Sequence, residues 1–378
     1  MEHFIDIFKN SKYLNKFTKD LFNEDMYMFF YKINKYLSSE NLEVNLYLSG
    51  SLARQEPSIY VEGHRMGLYS DIDFILVSDS EKPEKINNFK EWLLKTRPDI
   101  NSTIQLVYKE NFNNIQGCFV TDLMQTIDYP IFKSFKIDDF TFKKTNKEHL
   151  LENIIHQISG YLLYPPVSNN TSSFFRGNKA YHHYKLILEC LRAQLIDEEL
   201  IGSGYHQVYK NRFTPYISEL MSPKETEFFI KRREIFTFEG IEEFPVFEFL
   251  RKSLLIHLDL SPLNNNFNEI FKKLEKRIQS HNTDELDLYK TSCIIFSLIF
   301  SCSMEEEKDS LFGLFSTLFI NIDKVIWDFP DLNKFNDFYF LQNSYNYYLE
   351  HVLVIFRKFH SIYLKKMTER NLGYLQMN

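Results

Sequence analysis

Glycine and proline are both scarce in this chain, at 11 each in 378 residues, and cysteine is scarcer still at four. So few helix breakers, beside abundant Phe, Lys, Asn and Ile, favour helices built on large cores. Cys118, Cys190, Cys293 and Cys302 stand far apart without metal-ligand spacing. They read as buried thiols of a reducing compartment. Long apolar runs are missing too: the longest, residues 293–302, is too short to span a bilayer and reads as a buried helix. The opening Met1-Glu-His-Phe-Ile-Asp6 has no basic segment followed by a long apolar one, so a cytoplasmic protein without a membrane partner is expected. Excess positive charge is absent as well. A net charge of −7 argues against a broad basic groove for nucleic acid, although Lys143, Lys144 and Lys147 cluster locally. No glycine-rich P-loop, zinc spacing, nucleophile elbow or Cys/His protease pattern occurs.

What is present is ordinary for a globular chain: 44% hydrophobic and 25% charged residues, with 37 Phe and 23 Tyr. The length suffices for two domains. Apolar periodicity predicts a helix over 15–39, a strand at 43–49, a strand at 71–78, a helix at 84–96 stopped by Arg97-Pro98, and a strand at 102–109. Further strands are expected near 117–124 and 131–142. From about 147 onward, amphipathic stretches cover 147–163, 178–197, 223–239, 246–257, 265–281, 284–303, 309–326 and 336–366. The expected fold class is α+β, with a strand-containing domain over 1–145 and an all-helical domain over 146–378.

The most informative stretch is Leu48-Ser49-Gly50-Ser51, a short insert, then Asp71-Ile72-Asp73-Phe-Ile-Leu-Val77. In a strand, residues i and i+2 point to one face, so Asp71 and Asp73 project side by side. Like charges that close repel unless a cation lies between them. Two hard oxygen ligands at one point suit Mg²⁺, which binds through one or two carboxylates plus substrate phosphates. Gly50 allows close backbone approach to a phosphate, and Ser51 offers a hydroxyl.

These residues resemble the DNA polymerase β-like nucleotidyltransferases, in their minimal or antibiotic-modifying form. The family pattern of a hydrophobic residue, Gly-Ser, a spacer and Asp-hydrophobic-Asp maps onto Leu48, Gly50, Ser51, Asp71 and Asp73. Ala53, Arg54 and Glu56 echo a frequent extension of it. The resemblance covers about thirty residues directly and implies an N-terminal nucleotidyltransferase domain, a helical domain after it, and one or two Mg²⁺ ions on Asp71 and Asp73. It further implies an NTP as substrate, with Gly50 and Ser51 at its phosphates, and an acceptor, here expected to be a small molecule.

Two departures accompany it. Residues 52–70 make a long spacer, and Tyr60 to Gly67 reads as an inserted hairpin turning at Gly63. The family's third carboxylate belongs on the following strand, where this chain offers Gln105, a poor general base. Asp122 completes the site, or two carboxylates suffice, or catalysis is lost while nucleotide binding persists. Other candidates are Arg54, placed to pair with Glu56 or Asp71 or to reach a phosphate, and Lys179, with Arg176 and Lys185, near a helix start favourable to anions. A solvated basic face is the plainer account of that last group. Arg176 and His182 are also spaced as in helical ribonucleases, a short pattern common by chance. Tyr205, His206, Tyr209, Lys210 and Arg212 mix aromatic and basic groups; a surface turn is the simpler reading of them, as an exposed hairpin tip is of His64 and Arg65.

Overall fold

The computed structural model describes residues 6–62, 64–79, 83–114, 122–137, 147–163, 173–197, 204–237, 244–280, 285–326 and 375–377. These mix helices and strands in two compact units. The first holds the described residues of Met1–Leu150, Leu191–Glu239 and Met367–Asn378; the second holds those of Leu151–Cys190 and Gly240–Lys366. The N-terminal run thus ends near the expected boundary at 145, and the first unit then takes in two later segments that a division into 1–145 and 146–378 leaves out.

The first unit is built on a five-stranded mixed sheet. Helix α1 (Lys16–Ser39) starts where the Asn15 side chain caps the Thr18 N–H, and leads into β1 (Val44–Ser49). A one-turn helix, α2 (Gly50–Ala53), follows; then the hairpin β2 (Ile59–Glu62) and β3 (Arg65–Leu68); then β4 (Ile72–Ser78), α3 (Pro83–Thr96) and β5 (Ser102–Tyr108). The hairpin matches the insert expected at 60–67, its predicted turn residue Gly63 lying outside the described residues. β1 and β4 run antiparallel, β4 and β5 parallel. The sheet edges are two short strands, β6 (Phe132–Lys133) beside β1 and β8 (Leu375–Met377) beside β5.

Alternation along the strands divides the core. Ile72, Phe74 and Leu76, with Leu46, Leu48, Ile104 and Leu106, face α1 and α3, meeting Met26, Phe29, Ile33, Ile86 and Phe89. Tyr47, Ile75, Val77 and Val107 face the other way, against Phe112 and Leu123. Each such fully buried side chain contributes about 1.5–3 kcal/mol of hydrophobic stabilisation. A strand expected over 117–124 is not seen in its described part. Residues 122 and 123 are helical and 124–128 are turns, with Gln125 N–H donating to Asp122 O and Thr126 N–H to Leu123 O. The strand expected over 131–142 shortens to β6, and 138–146, with Lys143 and Lys144, lies outside the described residues, as does Cys118.

The remaining helices are α4 (Lys147–Leu163), α5 (Ser173–Asp197), α6 (Tyr205–Lys210), α7 (Pro215–Ser218), α8 (Pro223–Glu234), α9 (Val246–His257), α10 (Phe267–Ser280), α11 (Glu285–Ser301) and α12 (Glu305–Ile326). α8 begins with a capping box, Ser222 and Glu225 satisfying each other's backbone N–H, with Pro223 at the first position. It ends at Glu234, short of the expected 239, because Ile235–Phe236 form β7, which joins β2 in a small second sheet. The region after 146 is therefore not wholly helical. In the second unit the described elements are all helical, and Lys290 is buried between Glu152 (2.8 Å) and Asp287 (3.0 Å). Burial pushes the Cys190 thiol up to about 12, and partial burial together with Glu307 pushes the Cys302 thiol up to about 11. The helix expected over 336–366 lies outside the described residues. Among those described, no helix is long and apolar enough to cross a membrane.

Candidate functional site

The register of three neighbouring strands brings Ser49, Asp73 and Thr103 into one row across the sheet. The next row is Tyr47, Ile75 and Gln105. One face of the sheet therefore changes from apolar to polar within two residues at the end where β1 turns and β4 begins. Asp71 stands one residue before β4, partly exposed, and Ile72 between the carboxylates is fully buried on the opposite face. Asp73 is thus carried by β4 itself, and Asp71 by the residue that leads into it.

The turn beyond Ser49 is shaped around Asp73. Gly50 has φ +60°, the left-handed region that L side chains rarely adopt. A Cβ on Gly50 would lie 3.1 Å from Asp73 Cγ and overlap its Oδ2. The glycine is required twice over, by conformation and by the carboxylate pressed against it. On its other side, Asp73 Oδ1 accepts the Thr103 hydroxyl at 2.5 Å. Ser49 and Ser51 are 0% and 6% exposed, and among the described residues neither hydroxyl has a hydrogen-bond partner. A buried hydroxyl without a partner is a costly feature in a folded chain. Two of them flank the glycine beside the carboxylate pair.

Behind the turn lies a buried ionic cluster. Asp122 is 2% exposed; its Oδ2 accepts the Gly50 N–H (3.2 Å) and Arg54 Nη1 (3.0 Å), and its Oδ1 accepts Arg192 Nη2 (2.7 Å). Arg54 Nε donates to Glu56 (3.1 Å). Glu56 also accepts the N–H groups of Tyr205 (2.8 Å) and His206 (3.0 Å), and the His206 ring nitrogen Nδ1 lies 3.4 Å away. The Arg233 guanidinium donates to the Glu56 backbone carbonyl. The Tyr205 ring lies between the guanidiniums of Arg54 and Arg233, 5.0 and 4.6 Å from its centroid. Close by, Glu234 accepts the Lys12 and Tyr13 N–H groups, and burial raises its carboxyl above the usual range against the pull of those donors.

Burial alone would raise Glu56, and it is the largest single influence. The His206 hydrogen bond, the Arg54 and Arg233 charges and the Tyr205 N–H together outweigh it, so the carboxyl sits below its ordinary value of 4.5. A depressed carboxyl contributes stability that is fully present above its unfolded value and is lost as pH falls through its folded value. We therefore expect Glu56→Gln to destabilise the protein by about 3 kcal/mol near neutral pH, as for a broken buried ion pair. The difference should shrink as pH is lowered below about 4.5. Thermal melts of both proteins between pH 3 and 7 measure it; a constant gap across that range would show that the charge of Glu56 is not what matters.

The residues singled out in the sequence are thus dispersed into three groups. Gly50 is brought against Asp73 with Ser51 next to it in the turn, Asp71 lies just before β4, and Gln105 is one row behind Thr103. Arg54 and Asp122 are at the same turn but face each other in the ionic cluster. Lys179 lies on the second-unit part of α5, which starts at Ser173 rather than 178, so Lys179 is beyond the first turn. His182 shares that part of α5, its ring edge-on to Tyr181. Tyr209 has Lys12 Nζ 3.1 Å and the Arg212 guanidinium 3.8 Å from its ring centroid, which leaves it a packed surface tyrosine. Sequence reasoning missed Ser49, Thr103, Arg192 and Arg233. The first two follow from strand register; the arginines carry no local signal. Comparison of the chain with family models, with curated proteins and with solved structures gave no match.

Proposed function

We propose that this chain is a Mg²⁺-dependent nucleotidyltransferase that moves a nucleoside monophosphate from an NTP to an acceptor hydroxyl, with release of pyrophosphate. One observation carries the reading: Gly50 at φ +60° is pressed against the Asp73 carboxylate, between two buried serine hydroxyls without partners. The donor set fits Mg²⁺, which takes hard oxygen ligands from one or two carboxylates and completes its shell with phosphates and water. Asp71 and Asp73 would hold the ion, which when bound supplies charge neutralisation at the triphosphate. Ser51, and Ser49 beside it, hydrogen-bond phosphate oxygens. Gly50 keeps the turn free of a side chain so that the phosphates come close. Thr103 orients Asp73 through its hydroxyl. The acceptor is a small hydroxylated molecule, and a cationic one suits the net charge of −7; a protein or tRNA end is the other acceptor class.

A second reading has its own observation. The strand beside Asp73 carries Thr103 and Gln105 where a third carboxylate would stand, and both Asp122 oxygens are engaged by arginines. A nucleotide-binding partner protein without turnover fits that pattern. Incubation with Mg²⁺ and each NTP labelled at the α-phosphate, alone and with cell extract, separates the two. Transfer of label to an acceptor by the wild type, absent in an Asp71→Ala/Asp73→Ala double variant, is the expected result. Binding of NTP without movement of label into any acceptor pool would favour the silent binder, and no binding of any NTP would refute both.

A further inference from the structure

We infer that Asp122 and Arg192 are positioning residues that clamp the Gly50–Ser51 turn from behind, and that Asp122 is not the base of the reaction. The inference rests on the reading of that turn as the phosphate-binding element. A general base must present a lone pair to the acceptor. Asp122 instead receives three donors: the Gly50 N–H and Arg54 on Oδ2, and Arg192 on Oδ1. All three side chains are 2–4% exposed, so the carboxylate faces guanidinium groups inside the protein.

The clamp is larger than one residue. Residues 50–56 are held from four separate places in the chain. Asp122 takes the Gly50 amide. Asn10 donates its N–H to the Gln55 carbonyl (3.0 Å) and its side-chain Nδ2 to the Arg54 carbonyl (2.8 Å). Tyr205 and His206 grip the Glu56 side chain, and Arg233 its backbone carbonyl. Gly204 permits that grip, since a Cβ there would lie 3.0 Å from Glu56 Oε2 and collide with the His206 ring. Gln55 at φ +61° is in a conformation costly for a residue with a side chain, so this turn needs support from outside. These contacts over-determine it. The fixed Gly50 amide sets where the Ser51 hydroxyl and Asp73 sit relative to one another, which is the geometry a triphosphate would read.

The test uses the full chain, with wild type beside Asp122→Asn, Arg192→Met and Arg192→Lys. Lys290→Met, which breaks a buried ion pair in the second unit, controls for general destabilisation. Hydrogen exchange at residues 49–54 should quicken in Asp122→Asn and Arg192→Met, recover in part in Arg192→Lys, and stay at the wild-type rate in Lys290→Met. The Kd of a non-hydrolysable NTP analogue with Mg²⁺ should rise 10- to 100-fold in the same order. At saturating NTP, kcat should stay within about 3-fold of wild type, with an unchanged pH profile. Unaltered exchange at 49–54 in Arg192→Met would overturn the clamp whatever the protein binds. An unchanged Kd with a collapsed kcat and an altered pH profile in Asp122→Asn would make Asp122 the base. Faster exchange in a protein whose wild type binds no NTP would uphold the clamp and refute the nucleotide reading on which its function rests.

Discussion

Asp73→Asn should lower the proposed nucleotidyl transfer by about three orders of magnitude while leaving the fold intact. The argument begins with shape: an asparagine side chain fills the same space beside Gly50 and still accepts the Thr103 hydroxyl bond that Asp73 Oδ1 accepts at 2.5 Å. What it loses is charge. A carboxylate that supports a metal on a transferring phosphoryl group is worth several kcal/mol in the transition state, and about 4 kcal/mol is a factor of roughly 10³. Stability should move the other way or not at all. Asp71 and Asp73 are like charges two residues apart in the chain, so removing one relieves repulsion in the absence of a cation. Two measurements check this: the transfer rate, and the thermal midpoint with and without Mg²⁺. The wild type should be stabilised by Mg²⁺ with NTP, and Asp73→Asn should show no such shift. A variant with near wild-type transfer would remove the carboxylate pair from the mechanism.

Gly50→Ala should be the most damaging single-methyl substitution in the first unit. Holding an alanine at φ +60° costs about 1–2 kcal/mol. The new Cβ also meets the Asp73 carboxylate, which has no easy retreat because Thr103 ties its other oxygen. Relief of such overpacking typically costs another 1–3 kcal/mol. A total loss of about 2–5 kcal/mol in denaturant unfolding is expected, together with loss of nucleotide binding. Gly313→Ala provides the contrast. In α12 a Cβ at that position meets nothing within 4 Å among the described residues, and alanine in a helix interior is favoured over glycine by about 0.5–1 kcal/mol. Similar unfolding midpoints for the two variants would show that the Gly50 turn is not built around Asp73.

Much of the first unit was legible because local rules govern it. Apolar alternation and period placed β1, β4, α1, α3 and β5 within a residue or two, and Pro98 marked the end of α3. The Gly-Ser pair was read at the end of β1, and the structure places Gly50 there in a left-handed turn against Asp73. The short edge strands were not legible. β6 and β7 have two residues each and β8 three, too few to show any period. They form because a neighbouring strand offers unpaired N–H and C=O groups.

The residues behind the turn show the limit most clearly. Asp122 reaches Gly50 across 72 positions, Arg192 reaches Asp122 across 70, and Tyr205 and Arg233 reach Glu56 across 149 and 177. An ion pair leaves no periodic trace in sequence, since any arginine can meet any carboxylate once folding removes both from water. Arg54 and Asp122 therefore looked like groups that could serve a ligand, and only the fold shows them paired with each other. The chain alone determined the Gly-Ser turn and the spacing of Asp71 and Asp73 from which phosphate and metal chemistry is proposed. The tertiary structure decided which charges face that chemistry and which hold it in place, because burial and long-range pairing are settled only when distant segments meet.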